Sequence, residues 1–265
     1  ENYQLPFAQL PIPDQDLLSH PSSGFVRRLQ LHPGFGYALF VEGLRQEVVQ
    51  GQAATQLRDG AFKRLCREAA ARPQLSWCLI LDDIHRCPVQ DLFGETQQLL
   101  ERLPERVWLP ASGDALLLPP RLRLIATAQL KALPSLDPVW LRHFAVVELA
   151  PQPELLPDLK LADGRFAPSA FLTELNARLQ QLIGPAAAGE LLGHGYFFQH
   201  TSPPLDFGTW RQQLHYRVWP RLRQLSANRG FELSELLGAL DPGAESEAYL
   251  LQALRAEFPM AFKAD

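Results

Sequence analysis

The sequence predicts an α/β domain followed by a helical domain. Strand and helix patterns alternate up to about residue 150, whereas the segments after it carry apolar residues at helical spacing. In the first part, the uninterrupted apolar run Trp77–Leu81 ends in two acids, as is typical of a parallel strand buried on both faces. Closely spaced prolines after residue 150 predict a linker, so we place the domains at 1–150 and 151–265.

Length and composition exclude several classes of protein. The 265 residues suffice for one large or two modest domains, and 46% apolar with 20% charged residues is ordinary for a globular protein. The formal net charge of −4 argues against a surface that is basic throughout, although it leaves room for a local basic patch. Cys66, Cys78 and Cys87 lack CxxC spacing, which argues against a disulfide scaffold or structural zinc and favours a reducing compartment.

The chain shows no targeting or membrane signal. No apolar stretch approaches the roughly 20 residues that cross a bilayer, and no signal peptide is recognised. We therefore expect a cytoplasmic protein without membrane association. Because the first residue is Glu1 rather than Met, we expect the chain to be a piece of a longer polypeptide or a processed product.

The individual elements follow from local patterns. Residues 1–24, rich in Pro and Gln, predict irregular structure. Alternating or continuous apolar residues predict strands over 25–31, 77–81, 121–127 and 145–149, with a hairpin of 107–109 and 116–118 around Ser112-Gly113-Asp114. Apolar residues at helical spacing predict helices over 37–48, 60–71, 89–103, 168–183, 208–227, 231–240 and 246–257.

The acids that end the run Trp77–Leu81 are the clearest candidates for chemistry. Ligands of open parallel sheets bind at the carboxyl ends of the strands, where Asp82 and Asp83 are expected. Asp82 can hold Mg²⁺ through water, since this ion prefers oxygen ligands, and Asp83 can orient an attacking water. The pair suits equally well an Asp turn that caps the next helix, and the local sequence leaves this alternative open.

Six segments resemble, in the same order, motifs of the McrB-type AAA+ GTPases of modification-dependent restriction systems. For example, LHPGFGYALFVEGLR at 31–45 is similar to the family's FHQSYSYEDFVEGIR, and LDDIHR at 81–86 to its IDEINR. The other segments are DGAFKRLC (59–66), LPASGD through LPPRL to IATAQ (109–129), DPVWLRHF (137–144) and LGHGYF (192–197). No single motif is decisive, but their common order makes coincidence a poor explanation.

The resemblance implies an AAA+ three-layer parallel-sheet module followed by an all-helical lid domain. It also implies a ring-forming homo- or hetero-oligomer that hydrolyses GTP or ATP with Mg²⁺, an McrC-like nuclease subunit as partner, and action on DNA through the assembly. Carried over by motif position, Asp82 would hold Mg²⁺ through water and Asp83 would orient the attacking water. Gln129 would sense the γ-phosphate, completing the nucleotide-binding set with the two acids, and Arg142 would act on a neighbouring subunit's nucleotide.

The chain departs from the family at the phosphate-binding loop. No segment matches G-x-x-x-x-G-K-[ST], whose backbone N–H groups and Lys hold phosphates. One explanation is that a segment outside this chain carries the loop. The other is that Tyr3–Leu10 replaces the missing strand and Pro11–Gln15, without Gly or Lys, is the degenerate remnant of the loop.

Substitutions at the catalytic positions also depart from the family. Asp83 stands where the family has Glu, and its side chain is one methylene shorter. A carboxylate misplaced by about 1 Å can lower the rate on the order of 100-fold. Gln129 and His85 each replace an Asn, and Arg142 alone remains of a run of arginines. We therefore expect an NTP hydrolase if another segment supplies the loop, and otherwise an inactive AAA+ scaffold that organises partner subunits without hydrolysis.

Aromatic residues mark the C-terminal helices. Trp210, Tyr216 and Trp219, together with Leu214 and Val218, predict a buried helix stripe. The alternative is a platform on which nucleic-acid bases stack.

Overall fold

The computed structural model describes residues 6–20, 23–49, 52–101, 106–199, 202–243 and 246–263. The chain divides into two compact units, Glu1–Val146 and Val147–Asp265, and each has its own hydrophobic core. In the part that is described, no helix has the length and apolar character that a bilayer crossing requires.

The first unit has mixed α/β content, as predicted. Its helices and strands in chain order are α1 (Ile12–Ser19), β1 (Val26–Gln30), α2 (Tyr37–Phe40), β2 (Glu42–Val49), β3 (Gln52–Asp59), α3 (Ala61–Ala71), β4 (Trp77–Asp82), α4 (Val89–Phe93), β5 (Val107–Trp108), β6 (Ala115–Leu116), β7 (Leu122–Ala126) and α5 (Pro138–Leu141). Strands β1, β4 and β7 form a parallel sheet in the order β1-β4-β7. Because Gln30 is aligned with Asp82, and Leu81 with Ala126, the three carboxyl ends meet at one edge.

This sheet buries one face more completely than the other. Along β4, Trp77, Leu79 and Leu81 are buried together with apolar residues of α3, whereas Cys78 and Ile80 are only half-buried. The expectation that this strand is buried on both faces is therefore wrong for the described residues. An unbroken apolar run shows that both faces of the strand are apolar, but not that both are covered. The third layer of the expected AAA+ module stays a prediction.

The predicted helix over residues 37–48 is wrong. Helix α2 ends at Phe40, and the chain continues into an antiparallel pair of β2 and β3, with Glu42 opposite Asp59. Leu44 and Val48 are four positions apart, which fits a helix, but with Gln46 between them they also share one face of a strand. The apolar spacing therefore could not separate the two structures.

The ends of the first unit also differ from expectation. Residues 12–19 form α1, because Pro13 lies in the first turn, where its missing N–H is harmless. The proposed replacement strand Tyr3–Leu10 is wrong where it is described, since Phe7–Gln9 is a 3-10 turn; residues 3–5 lie outside the described residues. Residues 12–15 of the supposed loop remnant lie in α1.

Two further predicted elements are altered. The helix predicted over 89–103 is α4 followed by a 3-10 stretch, Gly94–Glu101, and the break coincides with a φ of +52° at Gly94. Residues 102 and 103 lie outside the described residues. The strand predicted over 145–149 does not form, and Leu149 is 90% exposed, because an apolar segment becomes a strand only beside a hydrogen-bonding partner.

The second unit is mainly helical but not all-helical, which corrects the expected lid architecture. Its elements are β8 (Leu159–Leu161), β9 (Gly164–Phe166), α6 (Pro168–Ile183), α7 (Phe207–Gln213), α8 (Trp219–Arg229), α9 (Leu233–Leu237), α10 (Glu247–Glu257) and β10 (Phe262–Lys263). The strands form an antiparallel sheet in the order β10-β9-β8. The overlooked signal is Asp163-Gly164, a turn pair whose Gly has a φ of +136°.

Candidate functional site

Asp82 ends β4 at the edge where the three parallel strands finish. The hydroxyl of Thr127, directly after β7, donates to Asp82 Oδ1 at 2.6 Å, and the Arg28 guanidinium of β1 forms an ion pair with Oδ2. The Thr127 hydrogen bond and then the Arg28 charge lower the pKa of Asp82. Asp82 is therefore a carboxylate at neutral pH and accepts bonds from both neighbouring strands.

Asp83 has an unusual backbone conformation. Its φ of 57° and ψ of 48° lie in the left-handed region, which Asp tolerates better than most residues, and they turn the chain from β4 into the 3-10 turn Ile84–Arg86. The Asp83 N–H donates to Thr127 Oγ1 at 3.0 Å, and Gln30 Nε2 donates to Asp83 Oδ2 at 2.9 Å. Thr127 thus fixes the positions of both acids.

Two basic side chains lie beside Asp83. Arg86 Nη1 is 3.9 Å from Asp83 Oδ2, and His85 Nδ1 is 4.0 Å from Asp83 Oδ1. His85 Nδ1 is buried without a hydrogen-bond partner among the described residues. Gln30 therefore donates to the Asp83 carboxylate, whereas Arg86 and His85 lie near it but beyond hydrogen-bond distance.

The other two predicted site residues lie apart from the acids. Gln129 is exposed and precedes the 3-10 turn Leu130–Ser135, and no side-chain bond from it to either acid is found in the described residues. The exposed Arg142 guanidinium, at the end of α5, pairs with Glu101. The structure thus joins Asp82 and Asp83 but leaves Gln129 and Arg142 outside their bonding network.

Thr127, Arg28 and Gln30 also belong to this edge, although no motif of the sequence singles them out. Alternate residues of β1 point to one face, so Arg28 and Gln30 lie on the same face, toward the carboxyl end of the strand. Thr127 follows the last residue of β7. A polar residue at the end of each predicted parallel strand was the available signal, but using it required the strand order.

The donor set at this edge suits Mg²⁺ bound through water. Asp82 and Asp83 supply ionisable carboxylates and Thr127 supplies a hydroxyl, all hard oxygen donors. Arg28 competes for one Asp82 oxygen, but its side chain is 67% exposed, and such surface ion pairs contribute only about 0–1 kcal/mol. The residues present therefore fit the ion, with Arg28 as a competing cation.

A second acidic cluster has a structural role. Glu42, Asp59 and Asp114 bring carboxylate oxygens within 4.8 Å of one another, which resembles a metal site. Lys63 Nζ lies among them, at 2.6 Å from Glu42, 2.9 Å from Asp59 and 2.6 Å from Asp114. The Lys63 ammonium therefore supplies the positive charge internally and joins α3 to β2, β3 and the turn between β5 and β6.

Comparison with known proteins gives one informative relative. The chain is 25% identical over 195 residues to the Type IV methyl-directed restriction enzyme EcoKMcrB subunit of Escherichia coli (strain K12). The match covers 65% of this chain and 40% of that protein, so the aligned part spans about two fifths of the relative's length. No family model matches the chain. The similarity supports a distant McrB-like relationship, and the parallel sheet is compatible with an AAA-like α/β module.

Proposed function

We propose that this chain is the AAA+ module of an McrB-like restriction assembly and that it hydrolyses nucleoside triphosphate at the edge of the β1-β4-β7 sheet. The observation that carries the proposal is the ionised Asp82 at the carboxyl end of β4, held with Asp83 by Thr127. The distant similarity to an McrB subunit supports the same function. Turnover in this proposal drives action on DNA through an McrC-like nuclease subunit.

The roles of the residues follow from their positions. Asp82 holds Mg²⁺ through water, and the ion neutralises charge on the phosphates when it is bound. Asp83 accepts a hydrogen bond from the attacking water and thereby orients the water. Gln30 fixes Asp83 Oδ2 by donating a hydrogen bond to it. Gln129 contacts the γ-phosphate, and Arg142 leaves Glu101 to reach a neighbouring subunit's nucleotide in a ring. The phosphate-binding loop comes from a segment outside this chain.

A second candidate function is that of an AAA+ scaffold without hydrolysis. The pairing of Arg28 with Asp82 favours it, because a guanidinium occupies an oxygen that a metal-bound water would use. In this alternative Asp82 and Asp83, hereafter the acid edge, stabilise the sheet, and the module organises partner subunits.

Hydrolysis of GTP and of ATP by the complete polypeptide distinguishes the two functions. We expect Mg²⁺-dependent turnover that Asp82→Asn lowers on the order of 100-fold. The matched control is Asp91→Asn, since Asp91 is an exposed acid of α4 in the same unit. Equal rates for the wild type and Asp82→Asn would remove Asp82 from the mechanism. Absence of both nucleotide binding and turnover in the complete polypeptide would contradict the hydrolase and favour the scaffold.

A further inference from the structure

The helices α7 and α8 form a strongly basic segment of the second unit. Residues 207–231 contain no Asp or Glu, and they contain the arginines Arg211, Arg217, Arg221, Arg223 and Arg229. In a chain with a formal net charge of −4, such a segment concentrates positive charge locally. This is the kind of local basic patch that the overall charge leaves possible.

Acidic residues from other elements neutralise only part of this segment. Glu190 pairs with Arg221 and with Arg229, the latter at 3.2 Å. Arg211 lies 3.8 Å from Glu247. By contrast, Arg217 Nη1 donates to the Phe198 carbonyl at 2.6 Å, and no carboxylate of the described ranges pairs with Arg217 or Arg223. Two exposed guanidinium groups therefore keep their charge uncompensated.

An exposed tyrosine, Tyr216, directly precedes Arg217 in this segment. The core side of the segment is formed by Phe207, Trp210, Leu214, Val218, Leu222 and Leu225, all buried. Tyr216 is instead 72% exposed, which corrects its predicted place in the buried stripe, and Trp219 is half-buried. The His215 ring meets the Tyr216 ring edge-on at 4.5 Å, and His215 Nδ1 is bonded to the Pro242 carbonyl at 3.0 Å. The tyrosine ring is thus supported from one side while remaining open to solvent.

Tyr216 points outward because it lies two positions from both Leu214 and Val218, which face the core. Leu214–Val218 is a π-helical segment, and the Trp219 N–H donates to the Leu214 carbonyl five residues earlier. Pro220 lacks an N–H and would clash with the Tyr216 carbonyl in a regular α-helix, so the wider turn relieves the clash. Single π turns of this kind occur frequently at functional sites.

We propose that the surface of Gln212, Tyr216, Arg217, Arg223 and Gln224, hereafter the Tyr216 surface, binds single-stranded nucleic acid. Arg217 and Arg223 lie about 9 Å apart along the helix axis and contact phosphates. Tyr216 stacks on an unpaired base, which a duplex would not offer. The exposed side chains Gln212 and Gln224 supply neutral hydrogen-bonding groups without repelling the phosphates. The proposal is independent of nucleotide hydrolysis and would stand if the proposed function failed.

Fluorescence anisotropy with a labelled oligothymidylate and a labelled oligouridylate, measured without nucleotide, tests this surface. We expect Tyr216→Ala to weaken binding roughly 5- to 150-fold and Tyr216→Phe to retain it, since stacking needs the ring and not the hydroxyl. Replacing Arg217 and Arg223 together by Gln should reduce the slope of log affinity against log salt by about 1.4, the share of two single-strand phosphate contacts.

The matched control replaces two exposed cations elsewhere in the same unit, Lys160 and Arg255, by Gln and should leave the salt slope unchanged. Circular dichroism establishes that each variant is folded. Undetectable oligonucleotide binding, or equal affinity of the wild type and Tyr216→Ala, would overturn the proposal. Competition by polyglutamate as effective as that by unlabelled oligonucleotide would overturn it in favour of an acidic protein partner.

Discussion

Replacement of Lys63 by Met should strongly destabilise the first unit at neutral pH. Lys63 is 1% exposed and Glu42 is 0% exposed, so Glu42 cannot exchange its lost partner for bulk water. Burial raises the pKa of Glu42, but hydrogen bonds from Lys63 and Ser112 and the charge of Lys63 outweigh it, so this pKa lies below its ordinary value of 4.5. Without the ammonium, burial and the two neighbouring carboxylates raise this pKa, and Glu42 must become protonated in the folded state.

The cost follows from the ordinary pKa of the carboxyl. Protonation at pH 7 of a group whose unfolded pKa is 4.5 costs about 3.4 kcal/mol, at 1.36 kcal/mol per pH unit. This agrees with the roughly 3–5 kcal/mol expected when one partner of a buried ion pair is removed. At about 2–4 °C per kcal/mol, the melting temperature should fall by roughly 7–14 °C. At pH 5 the protonation cost drops to about 0.7 kcal/mol.

The pH dependence distinguishes this reasoning from a simple packing defect. In the wild type, the lowered pKa of Glu42 contributes stability that is present above 4.5 and lost as the pH falls through the folded pKa. In Lys63→Met the pKa is raised, so the penalty is present at pH 7 and is relieved as the pH falls. Urea unfolding followed by tryptophan fluorescence should therefore show the gap between the two proteins narrowing from pH 7 to pH 5.

Arg64→Met is the matched control, because Arg64 is the exposed neighbour of Lys63 on the same helix, and its effect should stay within about 0.5 kcal/mol. A gap below about 1 kcal/mol at pH 7, or one that does not change with pH, would refute the account of Lys63.

Two further predictions concern the acid edge and a tight contact. Thr127→Val removes the hydroxyl that donates to Asp82 Oδ1, so the pKa of Asp82 should rise. Carbon-detected carboxyl titration by NMR checks this, with Thr173→Val as the control, and an unchanged Asp82 titration would contradict the assigned cause. Gly60→Ala places a Cβ 2.2 Å from backbone carbon at the end of α2, so we expect about 1–3 kcal/mol of destabilisation in urea unfolding, whereas Gly36→Ala, with no atom within 4 Å, should be nearly neutral. Equal midpoints for the two Gly variants would show that the backbone yields without cost.

The elements predicted correctly from the sequence are those whose apolar residues repeat with a single clear period, that of a helix or that of a strand. Strands β1, β4 and β7 and helix α3 were predicted because their apolar residues fit only one type of element. The prediction failed where both periods fitted the same residues, as for Leu44 and Val48 in β2. Tyr216 is exposed because it lies two positions from Leu214 and from Val218, on the opposite face of the helix, so its aromatic type alone does not place it in the buried stripe.

The sequence predicts those residues of the candidate site that are adjacent in the chain, but not the partners that other strands supply. Asp82 and Asp83 could be placed at the end of a strand from the sequence, but their partners Arg28 and Thr127 come from strands 54 and 45 residues away. Which strands lie beside β4 depends on packing that no local pattern encodes. The structure also gives a reason for Asp83 where the resembling family has Glu, since a short polar side chain tolerates the left-handed conformation better.

The uneven burial of the parallel sheet affects how the isolated chain can be handled. Among the residues described, β7 bonds to β4 along one side only, and Ile125 on this strand is 51% exposed. Backbone N–H and C=O groups on an unpaired strand edge beside an exposed apolar side chain favour aggregation through edge-to-edge strand pairing. The purified chain should therefore become turbid at high concentration, and a charged substitution such as Ile125→Lys should improve its solubility.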